Sequence, residues 1–99
     1  MELHKKVSKN TFIVGIIGMG YVGLPLALEF ASKGIRVIGF DLDSSKISIL
    51  NKEKRSYIKH ISSKRIREQV ARGMLTATSD FSKLNVPDVV IICVPTPLN

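Results

Sequence analysis

Ninety-nine residues, 44% of them hydrophobic, are enough to bury one core and too few for two domains. No apolar run approaches the ~20 residues needed to cross a bilayer, the opening MELHKKVSKN lacks the apolar stretch of a secretory signal, and the single cysteine excludes an internal disulfide, so a soluble cytoplasmic protein without membrane contact is expected. The net charge of +7 is confined to one stretch, because 44–75 hold nine Lys or Arg against two Glu while the rest of the chain carries six of each sign.

After a polar lead-in, the apolar run from Thr11 to Ile17 has the pattern of a strand buried on both faces of a parallel sheet. Gly18 to Gly23, GMGYVG, follow it directly and open an apolar-periodic stretch from Val22 to Lys33. There Leu24, Ala27, Leu28 and Ala31 recur at helical spacing, Pro25 is tolerated in the first turn, and Gly34 stands just past the end. A glycine-rich turn between a buried strand and a helix is the phosphate-binding loop of a dinucleotide-binding βαβ unit. Gly18 would permit the tight exit from the strand, Gly20 would let the backbone approach a pyrophosphate, and Gly23 would let the helix pack closely on the sheet. The anion would sit on free N–H groups at the helix N-terminus, where the dipole favours negative charge.

A second apolar strand, Arg36 to Phe40, ends at Asp41, eighteen residues after Gly23. Asp43 or Ser44 then caps a short second helix that buries Ile47 and Leu50 and ends near Asn51. The stretch Lys52 to Ser62 has no clean period and reads as a surface loop. Ser63 is placed to cap a third helix, Lys64 to Arg72, with Ile66 and Val70 on its buried stripe and Gly73 as its stop. The basic residues Lys52, Lys54, Arg55, Lys59, Lys64, Arg65, Arg67 and Arg72 read as a solvated surface, since Tyr57 is the one aromatic among them for base stacking; no nucleic-acid partner is expected. A short strand near Leu75 to Thr78, a turn from Asp80 to Leu84 and the most apolar strand, Val89 to Val94, complete the order. With right-handed crossovers this order gives an α/β fold, the 3-2-1-4 N-terminal half of a Rossmann-type doubly wound parallel sheet.

Cofactor choice turns on Asp41. A carboxylate at the end of the second strand accepts hydrogen bonds from ribose hydroxyls and repels a 2′-phosphate, which selects NAD over NADP. Lys46, one turn further on, is placed to touch the ribose or the adenine edge, or simply to stand in solvent. Cys93 lies inside the last strand with no base nearby and reads as a small buried hydrophobe. His4 and His60 have no second ligand at metal spacing, so no metal site is expected. Pro95, Thr96 and Pro97 follow the last strand at the carboxyl edge of the sheet, where ligands bind in this architecture.

Four segments together resemble the nucleotide-sugar 6-dehydrogenases, the UDP-glucose and UDP-N-acetylhexosamine dehydrogenases: GMGYVGLPLA from Gly18, GFDLDSSKI from Gly39, TATSDFS from Thr76 and VVIICVPTPLN from Val89. GYVGLP together with VPTP is far more specific than a generic glycine loop. The resemblance implies NAD as cofactor and a UDP-sugar as substrate, oxidised at C6 from alcohol to carboxylate in two steps through a covalent thiohemiacetal, for cell-surface polysaccharide synthesis. It implies a homo-oligomer and cofactor contacts at Gly18, Gly20, Tyr21, Val22, Gly23, Asp41, Lys46, Val94, Pro95 and Thr96. The family's catalytic cysteine, its lysine and its sugar-binding residues match nothing in this sequence. Residues 1–99 are therefore expected to be an N-terminal cofactor-binding part, inactive alone, with no catalytic residue and the substrate and C-terminal domains missing. Within the family, SYIKHIS from Ser56 resembles the branch acting on UDP-N-acetylglucosamine or its mannosamine epimer. Two other readings stay open: a module that senses NAD without catalysis, and a methyltransferase-type domain. The latter usually has an acid at the end of its first strand, where this chain has Ile16 and Ile17.

Overall fold

The first apolar run forms β1, Ile13–Ile17, in a computed structural model that describes residues 12–93. Phe12 is buried just ahead of the strand, and Thr11 lies outside the described residues. Helix α1, Gly23–Ser32, follows the glycine loop and turns Leu24, Ala27, Leu28 and Ala31 inward as the spacing predicts, with Gly34 at positive φ (84°) just after it. Strand β2 is Arg36–Phe40. Helix α2, Ser44–Ser48, is capped by Asp43, whose side chain accepts from the Ser45 N–H.

Three expectations are corrected in the next stretch. The second helix does not stop near Asn51: it continues as a π turn, Ile49–Glu53, and ends at Lys54 in the left-handed conformation. The following segment is no simple surface loop, because Ile58 and Ile61 are buried in the core. Helix α3 is Ser63–Ala71, and Ser62 rather than Ser63 caps it by accepting from the Arg65 N–H. The Ser63 hydroxyl is taken by the Ser56 N–H at 2.9 Å.

Strand β3, Leu75–Thr78, precedes a 3-10 turn, Phe81–Asn85, capped by Asp80, and then β4, Val89–Ile92. The last strand is shorter than expected, and Val94 lies outside the described residues. All pairings are parallel and the order is β3-β2-β1-β4, the 3-2-1-4 order expected. Chain direction across the sheet reverses between β3 and β4, and that reversal separates the two faces. On one, Val14, Ile16, Val37, Leu75 and Ala77 form the core with α1, the buried Leu50, Ile58, Ile61 and Ile66. On the other, Phe40 packs on Phe81, with ring centroids 5.7 Å apart, and Pro87 lies over Gly15 so closely that a Cβ there would come within 2.7 Å of its Cγ. No helix of the described residues is long and apolar enough to cross a membrane.

Candidate dinucleotide site

The glycine loop sits where β1 runs out against the end of β2. Gly18 takes φ 95°, a conformation that L side chains rarely adopt, and its N–H donates to the Phe40 carbonyl at 2.7 Å. Gly23 opens α1 directly behind that turn: a Cβ there would lie 1.7 Å from the Gly18 carbonyl oxygen. A Cβ on Gly20 would meet open space, its one neighbour being the Lys46 ammonium at 3.9 Å. Val22 caps α1 without a side-chain hydrogen bond, and Leu24 N–H donates to the Gly20 carbonyl at 3.1 Å. Among the described residues nothing accepts from the N–H of Tyr21 or Val22, so donors remain at the positive end of the helix dipole.

Asp41 faces this loop from the end of β2. Its Oδ2 accepts from the Met19 N–H at 2.9 Å and its Oδ1 from the Asp43 N–H at 2.9 Å. The Lys46 Nζ stands 3.9 Å from Oδ2, a loose ion pair. A carboxylate offers about four lone-pair sites, so capacity for further donors remains. Asp43 is engaged differently: the Ser45 hydroxyl and N–H hold its carboxyl below the usual aspartate range, in keeping with its role as helix cap.

Tyr57 completes the wall. Its hydroxyl donates to the Met19 carbonyl, and its ring lies 5.8 Å from the Lys46 ammonium. Burial, reinforced by the negative charges of Asp41 and Asp43, pushes the phenol well above its ordinary value, so it remains a donor at physiological pH. Sequence reasoning missed this residue. The one available signal was a single aromatic in an otherwise charged, aperiodic stretch.

Between these groups opens a cleft of about 940 Å³ at the carboxyl ends of β1 and β2. Gly18, Gly20, Tyr21, Val22, Asp41 and Lys46 line it, joined by Leu42, Tyr57 and Phe81, which the sequence did not single out for the site. Gly23 is buried behind the loop and contributes packing rather than wall. Val94, Pro95 and Thr96 lie outside the described residues. Cys93 departs from expectation: it stands just past the end of β4, half-buried, and lines the cleft, its N–H donating to the Ile17 carbonyl at 2.7 Å. The described residues bring together no group of three or more metal-ligating side chains. All eight basic residues of 52–72 are exposed.

The arrangement suits an anionic ligand over the loop with a hydroxyl-bearing group at the acid. The profile of the "UDP-glucose/GDP-mannose dehydrogenase family, NAD binding domain" matches residues 12–99. The UDP-N-acetyl-D-mannosamine dehydrogenase of Pyrococcus horikoshii is 37% identical over 86 residues, which is 87% of this chain and 21% of that protein. The GDP-mannose 6-dehydrogenase of Pseudomonas putida is 35% identical over 85 residues, 85% of this chain and 19% of that protein. The solved structure of the Pyrococcus horikoshii enzyme superposes with a TM-score of 0.80 at 36% identity, covering 89% of this chain and 21% of that one. The chain thus spans about a fifth of the length of these relatives. The profile match removes the methyltransferase reading, and the chain belongs to the UDP-glucose/GDP-mannose dehydrogenase family, of which it carries the NAD binding domain.

Proposed function

We propose that this chain is the N-terminal, cofactor-holding part of an enzyme that oxidises the C6 hydroxyl of a UDP-sugar to a carboxylate, with a UDP-N-acetylhexosamine as the sugar. The observation that carries the cofactor half is the pairing of an open backbone at Gly20 with a carboxylate, Asp41, hydrogen-bonded to the same loop. In this reading the backbone of Gly18, Gly20, Tyr21 and Val22 takes the pyrophosphate, and Gly23 holds the helix close enough for its N-terminus to serve it. Asp41 takes the adenosine ribose and excludes a 2′-phosphate by charge. Lys46 balances that carboxylate and flanks the ribose. Val94, Pro95 and Thr96, outside the described residues, are assigned further cofactor contacts on the family resemblance alone. Bound NAD supplies the hydride acceptor. The chain's own part is to bind and orient it, because a sugar alcohol, a nucleophilic thiol and a base must also be held against the nicotinamide. Cys93 is not assigned that role.

The sugar assignment is supported by the SYIKHIS segment at Ser56 and by the mannosamine dehydrogenase among the relatives. The GDP-mannose enzymes lie close behind it in similarity. The test is an NADH-release assay on residues 1–99 and on the longer polypeptide that continues from them, with UDP-N-acetylmannosamine, UDP-N-acetylglucosamine, UDP-glucose and GDP-mannose in parallel. Turnover of the N-acetylhexosamines by the longer polypeptide alone is expected. Preference for UDP-glucose or GDP-mannose would refute the sugar assignment, and turnover by residues 1–99 would refute the division of labour.

A further inference from the structure

Met19, between the first two glycines of the loop, is held at three points by parts of the chain remote from it. Its N–H donates to Asp41 Oδ2 at 2.9 Å, and its carbonyl accepts from the Tyr57 hydroxyl. Its fully buried side chain lies on Gly39, where a Cβ would come within 2.6 Å of its sulfur. The end of β2 and the segment after the π turn thus converge on the two peptide groups that flank one residue. Met19 lies outside every helix and strand, so regular structure does not bond these groups, and its burial leaves them to partners within the protein. Bonding them instead to side chains from 22 and 38 residues away restricts how the loop can move.

We propose that Tyr57 is a positioning residue for the cofactor: together with Asp41 it clamps Met19 and keeps 18–23 in the shape that receives the pyrophosphate. The proposal rests on the reading of this loop as the cofactor site. Its physical basis is preorganisation, since a loop ordered on folding has less freedom to lose when the ligand arrives. The hydroxyl and the ring of Tyr57 have separable tasks. The hydroxyl reaches the Met19 carbonyl, while the ring fills the wall beside Lys46.

Tyr57→Phe keeps the ring and removes the clamp, which makes it the informative variant. Hydrogen exchange of the ligand-free 99-residue chain and calorimetric titration with NAD are the two readouts. Exchange at the amides of 18–23 should rise selectively, with Val14, Ile16 and Val37 in β1 and β2 unchanged, and the dissociation constant for NAD should increase about three- to tenfold. Unchanged NAD affinity in the variant, where the wild-type chain binds, would overturn the proposal. So would an affinity loss accompanied by an equal rise in exchange across β1 and β2, because Tyr57 would then act only through general stability. A wild-type chain that fails to bind NAD would refute the site itself. The exchange data would then decide the clamp alone, unchanged loop exchange in Tyr57→Phe counting against it and a selective rise counting for it.

Discussion

At the β3 edge of the sheet Ala77 has both backbone groups met by one side chain: the Asn51 Nδ2 donates to its carbonyl at 2.6 Å, and its N–H donates to the Asn51 Oδ1 at 3.1 Å. At the β4 edge the more apolar strand is left bare, with Val89, Val90 and Ile92 exposed by 40%, 39% and 66%. The amide of Asn51 substitutes for a neighbouring strand, and the π turn that carries it brings it there. Nothing among the described residues does the same for β4. Exposure in this sheet follows from what the chain lays beside each strand, and hydropathy alone would have ranked the two edges the other way. An unpaired apolar strand is a template for another strand, so the two edges should answer differently to perturbation.

The largest effect is expected away from both edges, at the tightest contact of the glycine loop. Gly23→Ala would drive a methyl into the Gly18 carbonyl, a backbone clash that no rotamer relieves, and should cost about 3 kcal/mol or more in urea denaturation. A loss under about 1 kcal/mol would show that the loop yields more easily than its packing implies. Next comes Asn51→Leu, which keeps the bulk and strips Ala77 of two partners. A destabilisation of about 2 kcal/mol is expected, and one below about 0.5 kcal/mol would mean that the sealed edge does not depend on its seal. On the open side, Val90→Lys combined with Ile92→Lys should change stability by no more than about 0.5 kcal/mol while suppressing self-association in sedimentation velocity. A wild-type chain that stays monomeric at high concentration would contradict the open edge. The smallest effect is local. The Ser82 hydroxyl and N–H hold the Asp80 carboxyl below the usual aspartate range, so its stabilisation of the 81–85 turn is present above about pH 3.9 and is lost as pH falls through the lowered value. The Ser82 amide resonance should report that release while β1 and β2 remain intact.

Much of the glycine loop and its surroundings was legible because the signals are local. The GMGYVG loop, the helical recurrence of Leu24, Ala27, Leu28 and Ala31, and the acid after β2 each sit within a few residues of the feature they specify. The rest depended on contacts that no local pattern carries. Tyr57 reaches Met19 across 38 residues, which hydrophobic period cannot reveal. Ser62 and Ser63 are equivalent as caps by propensity, and the choice fell to Ser62 because the Ser56 N–H occupies the Ser63 hydroxyl. The π turn that aims Asn51 at Ala77 has no sequence mark either. Cys93 was read as buried from the hydropathy of its strand, whereas it stands just past the end of β4, half-buried against the core and lining the cleft.

Titration of the 99-residue chain with NAD and with NADP, each repeated on Asp41→Ala, tests most directly whether the glycine loop and Asp41 form a site for NAD. Selective binding of NAD is predicted, weakened in the variant by about 1.5–3 kcal/mol, the range for a hydrogen bond to a charged group. Equal or tighter binding of NADP by the wild-type chain, or NAD affinity indifferent to the loss of Asp41, would contradict the account.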